Sequence, residues 1–304
     1  MMATQAGAIV EQPREEPHGG VLYVVGTPIG NREDLSPRAR RVLEQVDVIA
    51  CEDTRHSAQL LQGLSGHGRL ISFHRHNRQR RQPQLLGLLT AGHSLALISD
   101  AGLPGISDPG EELVAAARQA GHGVICIPGP TAFVTALVGS GLPCGRFVFE
   151  GFLPAKSSAR RQRLQHMAGE PRTVVFYEAP HRLLAMLEDL LALWGDRPLQ
   201  VGRELTKRHE EFIGPTTAMA LDHFRGQSPR GECCVVVGGC PKPVTLPWDG
   251  EALATQLQQL IQKDGLGPSQ AARVLAQRSG HSRQQLYALL LQRRRGEEQG
   301  TEPY

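Results

Sequence analysis

Between Val21 and Pro128, short apolar runs alternate with longer amphipathic ones. This alternation restricts the fold more than any other feature of the chain. VLYVV (21–25), VDVIAC (46–51), LISFH (70–74), SLALI (94–98) and VICIP (124–128) are compact strand-like runs. Helical stretches separate most of them. Ser36-Pro37 reads as a helix start, with serine as the cap and proline at the first helical position. Strands this continuously apolar must be covered on both faces. When helices separate them, they run parallel. The expectation is an α/β domain over residues 20–128 with a mostly parallel sheet.

After PGPTA (128–132) the texture changes. FVFEGFLP, RTVVFYEAP, PLQVGRELT, EEFIGP and GECCVVVGG are strand candidates. Helical segments near Ser158–Met167 and Arg182–Trp194 lie among them. QVGRELT and EEFIG are too close for a helical crossover and should pair antiparallel. A second α/β domain with a mixed sheet is expected over 129–240. CPKPVTLPWDG then reads as a linker. Residues 248–296 read as a small helical domain of three helices, broken at GLGPS and SGHS. Each break carries a serine suited to cap the next helix. Its shape resembles a helix-turn-helix, although such triplets more often pack on a neighbour than read DNA.

The first nineteen residues lack the basic-then-apolar pattern of a signal peptide and read as a disordered tail. No apolar run approaches the roughly 18 residues of a membrane helix, so no membrane association and a cytoplasmic location are expected. The six cysteines form no C-x-x-C pair, which points to free buried thiols and no metal site. Net charge is only +3, but FHRHNRQRR (73–81), KSSARRQR (156–163) and QRRR (292–295) are local basic clusters. Each reads as a solvated face unless it meets phosphate.

The connection ISDAGLPGISDPG (98–110) joins the fourth strand to a helix. Its three glycines and two prolines make a loop of defined shape, at the strand end where α/β proteins bind ligands. Neither G-x-G-x-x-G nor G-x-x-x-x-G-K-[ST] occurs, which disfavours dinucleotides and nucleoside triphosphates. S-adenosylmethionine, which needs a shaped, partly polar cleft, fits better. Asp100 can accept hydrogen bonds from ligand hydroxyl or ammonium groups, or be a turn residue. Asp108, before Pro109, reads as a helix cap.

GTPIGN (26–31), CEDTR (51–55), SDAGLPGISDPG (99–110), PGPTA, EGFLPAK (150–156), FYEAPHR (176–182) and GRELTK (202–207) occur in the order that resembles the tetrapyrrole (corrin/porphyrin) methylase superfamily. Within it they are most similar to the branch that methylates ribose in bacterial 16S rRNA. The resemblance covers roughly Val21–Gly239. It implies two α/β domains with S-adenosylmethionine in the cleft between them, a homodimer, and 2′-O-methylation of a decoding-centre cytidine in the small ribosomal subunit. By motif position, Ser99, Asp100, Gly102, Leu103, Thr131 and Ala132 should line the donor site, with Tyr177 or Glu178 approaching from the second domain. The basic stretch 74–81 departs from the less basic, partly acidic one expected there, so no family role is carried over to His74–Arg81; stronger RNA contact is one reading of it.

A sulfonium methyl is electrophilic without a metal, so the protein must align the hydroxyl and accept its proton. Lys156, Glu178 and the Glu52-Asp53 pair are the candidate bases. Lys156 can instead hold a phosphate, and Glu178 can instead pair with Arg182. Arg75, Arg78, Arg160 and Arg182 are the candidate RNA contacts. Phe73, Phe152 and Tyr177 are the aromatics available to stack on a base. The rivals are a methylase of a small tetrapyrrole, a non-enzymatic nucleic-acid binder built on the C-terminal helices, and a nucleotide-dependent oxidoreductase.

Overall fold

The computed structural model describes residues 16–241, 250–263, 265–279 and 281–299. The chain divides into two compact units after Gly239. The first unit holds two five-stranded sheets. In the first sheet, β1 (Val21–Val25), β2 (Val48–Cys51), β3 (Arg69–Ser72), β4 (Leu95–Leu97) and β5 (Gly123–Ile127) run parallel in the order β3-β2-β4-β1-β5.

Side chains alternate across these strands and bury on both faces. Tyr23, Val25, Ile49 and Ile98 pack with α1 (Pro37–Gln45) and α2 (Thr54–Leu61). Leu22, Val48, Leu95 and Leu97 pack with α3 (Arg78–Thr90) and α4 (Glu111–Gln119). Each fully buried Leu or Ile adds about 1.5–3 kcal/mol, so the continuous apolar runs require a helical layer on each side. Ser36 caps α1 as expected, its hydroxyl accepting the Ala39 amide at 3.1 Å. Asp53 caps α2 by accepting the Arg55 amide at 2.8 Å. The neighbouring strands β4 and β1 send the chain in opposite directions, to β5 and to β2. That reversal opens a crevice at their carboxyl ends.

The second sheet has the order β6-β7-β10-β8-β9: β6 (Phe147–Phe152), β7 (Thr173–Glu178), β8 (Leu199–Arg203), β9 (Glu211–Ile213) and β10 (Cys233–Val237). β6 and β7 pair parallel and the other pairs are antiparallel, including β8 with β9. One face carries α6 (Ser157–Met167), α7 (Pro180–Trp194) and α8 (Thr217–Gly226). α5 (Ala132–Gly139) packs on the other face, against Val175, Cys234 and Val236. α5 and α8 went unread in the sequence. AFVTALVG is almost uniformly apolar, so it has no amphipathic period, and α8 is a short helix lying between two strands.

The second unit is three helices, α9 (Gly250–Gln262), α10 (Pro268–Ser279) and α11 (Arg283–Gln299), around Leu257, Leu260, Leu275 and Leu286. Ser282 and Gln285 cap α11 reciprocally at 3.2 and 3.0 Å. Ser269 lies inside α10 rather than capping it, and accepts from Arg283 at 2.6 Å. Most of the expected linker, 242–249, and most of the expected N-terminal tail, 1–15, lie outside the described residues. Glu16, at the end of that tail, is buried and held by Arg38 at 2.7 Å.

Three expectations are corrected by the fold. Asp108 does not cap α4: the helix starts at Glu111, and Gly110 holds the cap position with no side-chain hydrogen bond. Arg160 is not available to RNA. It is 6% exposed and sits 2.8 Å from Asp189 of α7, which also binds Arg161 at 2.7 Å. A guanidinium this buried must be paired, and α7, a different helix, supplies the carboxylate. Finally, Cys51, Cys233 and Cys234 are buried thiols, but Cys126 and Cys144 are exposed, because β5 is an edge strand and Cys144 lies in a surface loop.

Candidate active site

A cavity of about 460 Å³ opens between the carboxyl ends of the first sheet and the α5-side face of the second. The first sheet contributes Ile29 after β1, Glu52 after β2, Asp100–Leu103, Ile106 and Asp108 after β4, and Thr131 and Ala132 after β5. The second sheet contributes Phe152, Tyr177, Glu178, Gly202, Cys233 and Cys234.

The loops that form this wall are locked by backbone contacts. Thr27 and Gly102 exchange two backbone hydrogen bonds, at 2.9 and 3.1 Å. The Thr27 hydroxyl donates to the carbonyls of Ser99 and Gly102 at 3.2 Å. Ser99 is 2% exposed and donates to the Gly102 carbonyl at 3.2 Å. Ser99 therefore shapes the loop from behind rather than lining the cleft. Gly102 has φ +85°, which a side chain would strain. Gly26, in GTPIGN, and Gly129, in PGPTA, touch back to back. A Cβ on Gly26 would lie 2.7 Å from the Gly129 Cα. Glycine in two motifs a hundred residues apart is thus one structural requirement.

Across the cleft, the Tyr177 hydroxyl accepts the Phe133 amide at 3.1 Å. This satisfies one of the orphan amides in the first turn of α5. Burial pushes its pKa up, so the phenol stays neutral. GRELTK bends back with Glu204 and Thr206 at φ +51° and +65°. The Glu204 carboxylate accepts from Lys207 and from the Glu232 amide, both at 3.0 Å, and Lys207 also reaches Glu232 at 2.9 Å. Thr206 accepts the Asn31 amide at 3.1 Å, joining loops of the two sheets.

Among the described residues, no lysine or arginine lines this cleft, while Glu52, Asp100 and Asp108 all do. Asp100 accepts weakly from the Asp53 amide at 3.4 Å. Burial first, and then the charge of Asp100, raise the pKa of Glu52. Burial first, and then the charge of Glu52, push Asp108 up to about 6. Like charges in one partly desolvated space hold protons more tightly.

Six of the seven residues expected at the donor site, Asp100, Gly102, Leu103, Thr131, Ala132 and Tyr177, come together in this cavity, and Ser99 lies directly behind it. The residues expected to do chemistry and contact RNA fare differently. Glu178 reaches the cavity, but its side chain is 0% exposed, accepts the Ala179 amide at 2.9 Å and pairs with Arg182 at 3.0 Å. The ion pair across the strand–helix junction is what the structure forms. Arg182 is held there, donating also to the Leu153 carbonyl at 2.6 Å. Lys156 is exposed, at the cap position of α6, and is not part of the cavity wall. Arg75 is exposed in the loop after β3, whereas Arg78 pairs with Glu112 of α4. Of the aromatics, Phe73 is core at 1% exposed, and Phe152 is 55% exposed at the cavity. The residue missed in the sequence is Asp108. Its Asp-Pro-Gly context signals a helix start, and nothing local signals its burial.

The tetrapyrrole (corrin/porphyrin) methylase family model matches residues 21–221. A relative from Synechocystis sp., named ribosomal RNA small subunit methyltransferase I, is 50% identical over 90% of this chain and 98% of its own. A relative of the same name from Micromonospora olivasterospora is 44% identical over 90% of this chain and 87% of its own. Among solved structures, uroporphyrin-III-C-methyltransferase from Thermus thermophilus superposes with a TM-score of 0.52 at 23% identity. That match covers 77% of this chain and 98% of the other.

Proposed function

We propose that this chain, which belongs to the tetrapyrrole (corrin/porphyrin) methylase family, is an S-adenosylmethionine-dependent methyltransferase that acts on a ribose 2′-hydroxyl in small-subunit ribosomal RNA. The observation that carries this is the similarity, over nine-tenths of the chain, to relatives named ribosomal RNA small subunit methyltransferase I. The acceptor we assign, following the motif resemblance, is a decoding-centre cytidine of 16S rRNA.

The cleft fits the donor. Its volume is in the range of small-molecule sites. Ile29, Leu103, Ala132 and Leu205 offer apolar walls, and the uncompensated carboxylates favour a ligand that carries positive charge. When bound, the donor supplies an electrophilic methyl on a sulfonium. Asp100 and the backbone of Gly102–Leu103 hold its polar groups from one side, with Thr131 and Ala132 at the base of α5. Tyr177, fixed by the Phe133 amide, closes the opposite wall and limits water.

The same charge pattern disfavours the tetrapyrrole reading. A macrocycle bearing several carboxylates would meet Glu52, Asp100 and Asp108 with no cation to receive it. A ribose edge carries no charge, and the phosphates beside it stay outside, where exposed Arg75 in the loop after β3 and exposed Arg80 in the first turn of α3 can meet them. We place the remaining RNA contacts on the surface around that loop.

A homodimer is part of this reading. Val134 and Val138 of α5 are 44% and 67% exposed, and Phe147 of edge strand β6 is 37% exposed. Cys126 is exposed on edge strand β5. Exposed apolar side chains and open strand edges of this kind suit a second copy of the chain.

Methyl transfer from labelled donor distinguishes the readings. Label is expected in RNA of isolated small subunits and not in a tetrapyrrole polycarboxylate. The reverse pattern would overturn the RNA reading.

A further inference from the structure

Asp108 neither caps a helix nor forms an ion pair among the described residues; its hydrogen-bond partner is the Ser99 hydroxyl. α4 starts without it, and the described ion pairs leave it without a cation. Yet the backbone around it is strained. Ser107, a non-glycine residue, holds φ +62°, between Gly105 at +86° and Gly110 at +146°. Left-handed geometry at a serine is unfavourable and persists where the surroundings enforce it. β6 makes room for this loop. Its register slips between Phe149 and Gly151, and a Cβ on Gly151 would come within 3.2 Å of the Ser107 hydroxyl. Irregularities from both sheets thus meet where Asp108 enters the cavity.

Three groups face Asp108: Glu52 at the end of β2, Asp100 after β4, and Tyr177 from β7, whose pKa is raised in part by Asp108. The Ser99 hydroxyl beside it works against burial and the Glu52 charge. The other acid–base candidates are engaged or elsewhere. Glu178 is tied to Arg182 and the Ala179 amide. Lys156 lies outside the cavity. Asp53 caps α2. Glu52 shares the cavity and acts on Asp108 as a like charge.

We propose that Asp108 is the general base of the methyl transfer, taking the proton of the acceptor hydroxyl. As the oxygen–methyl bond forms, the methyl–sulfur bond breaks and its electron pair stays on sulfur. The sulfonium becomes a neutral thioether. The hydroxyl proton passes to the Asp108 carboxylate and then to water. A base whose pKa lies just below the working pH is largely ionised, yet still binds a proton well enough to help. Raising an aspartate to about 6 meets that need. The assignment rests on the methyltransferase reading above.

The test compares the full chain with Asp108→Asn, Asp108→Glu and Glu52→Gln, using small ribosomal subunits as acceptor. The pH profile of kcat/KM, which reports the free enzyme, is expected to show an acidic limb centred near 6 in the wild type. Asp108→Asn is expected to lose about 10²–10⁴-fold in rate and to lose the limb. Asp108→Glu should retain part of both, and Glu52→Gln should move the limb to lower pH. Two readouts do not depend on turnover. Calorimetric affinity for S-adenosylhomocysteine at pH 8 should stay within about threefold in Asp108→Asn, which also verifies folding. A carboxyl ¹³C resonance titrating near pH 6 should vanish in that variant. Asp108→Asn with a rate within fivefold of wild type, or with the limb intact, would overturn the assignment. If the wild type transfers no methyl to any RNA, the methyltransferase reading falls, and the base assignment falls with it.

Discussion

Asp108→Asn should make the protein more stable at pH 8 while removing its activity. The carboxyl titrates near pH 6 in the folded chain against an ordinary aspartate value of 3.8. A shift of about two units corresponds to roughly 3 kcal/mol at 1.36 kcal/mol per unit. Asp108 is only part-buried, so screening by solvent reduces this to about 1–2 kcal/mol. Because the folded pKa is raised, the folded state binds more protons than the unfolded one between pH 3.8 and 6. Stability therefore falls as pH rises through that window, and the cost is fully present above it. Asparagine keeps the shape and removes the charge. Thermal unfolding at pH 8 should show Asp108→Asn melting higher, by about 2–4 °C per kcal/mol. The gap should shrink as the pH is lowered toward 4. A variant equally stable at pH 8, or a gap that does not change with pH, would refute the claim that folding holds this carboxylate in an unfavourable place.

Three further outcomes follow from the geometry. Asp100→Ala should weaken S-adenosylmethionine binding by more than about tenfold in calorimetry, on the order of 1.4 kcal/mol. Gly129→Ala should disrupt the donor site at least as severely, since its Cβ would meet the Gly26 backbone at 2.7–2.8 Å, and neither chain can yield without parting the ends of β1 and β5. Arg160→Ala should cost about 2–4 kcal/mol in urea unfolding, leaving Asp189 with Arg161 alone. The folded variant should keep the methylation rate of the wild type.

What the sequence displayed, and what it hid, divides along the reach of the interactions. The strands of the first sheet were legible because each is apolar on its own, whatever its partners. β8 and β9 were legible as an antiparallel pair because the seven residues between them leave no room for a helical crossover. Glu178 with Arg182 was legible as an ion pair because the two lie four residues apart across one strand–helix junction. Arg160 was not, since Asp189 sits 29 residues away on another helix. In sequence, the arginine looks like one more member of a basic cluster. Asp108 was misread for the same reason. Asp-Pro-Gly satisfies the local pattern of a helix start, while the burial and the Glu52 charge that give the residue its character come from parts of the chain distant in sequence. The donor loops themselves were readable because their glycines and prolines announce shape locally. Their mutual contact at Gly26 and Gly129 was not.

The most direct test of the methyltransferase reading is nucleoside analysis of RNA from small ribosomal subunits incubated with the protein and labelled S-adenosylmethionine. The expected result is label in a single 2′-O-methylcytidine, dependent on the donor and lost with Asp108→Asn. Label on a base, or on no nucleoside at all while the donor binds with normal affinity, would contradict it.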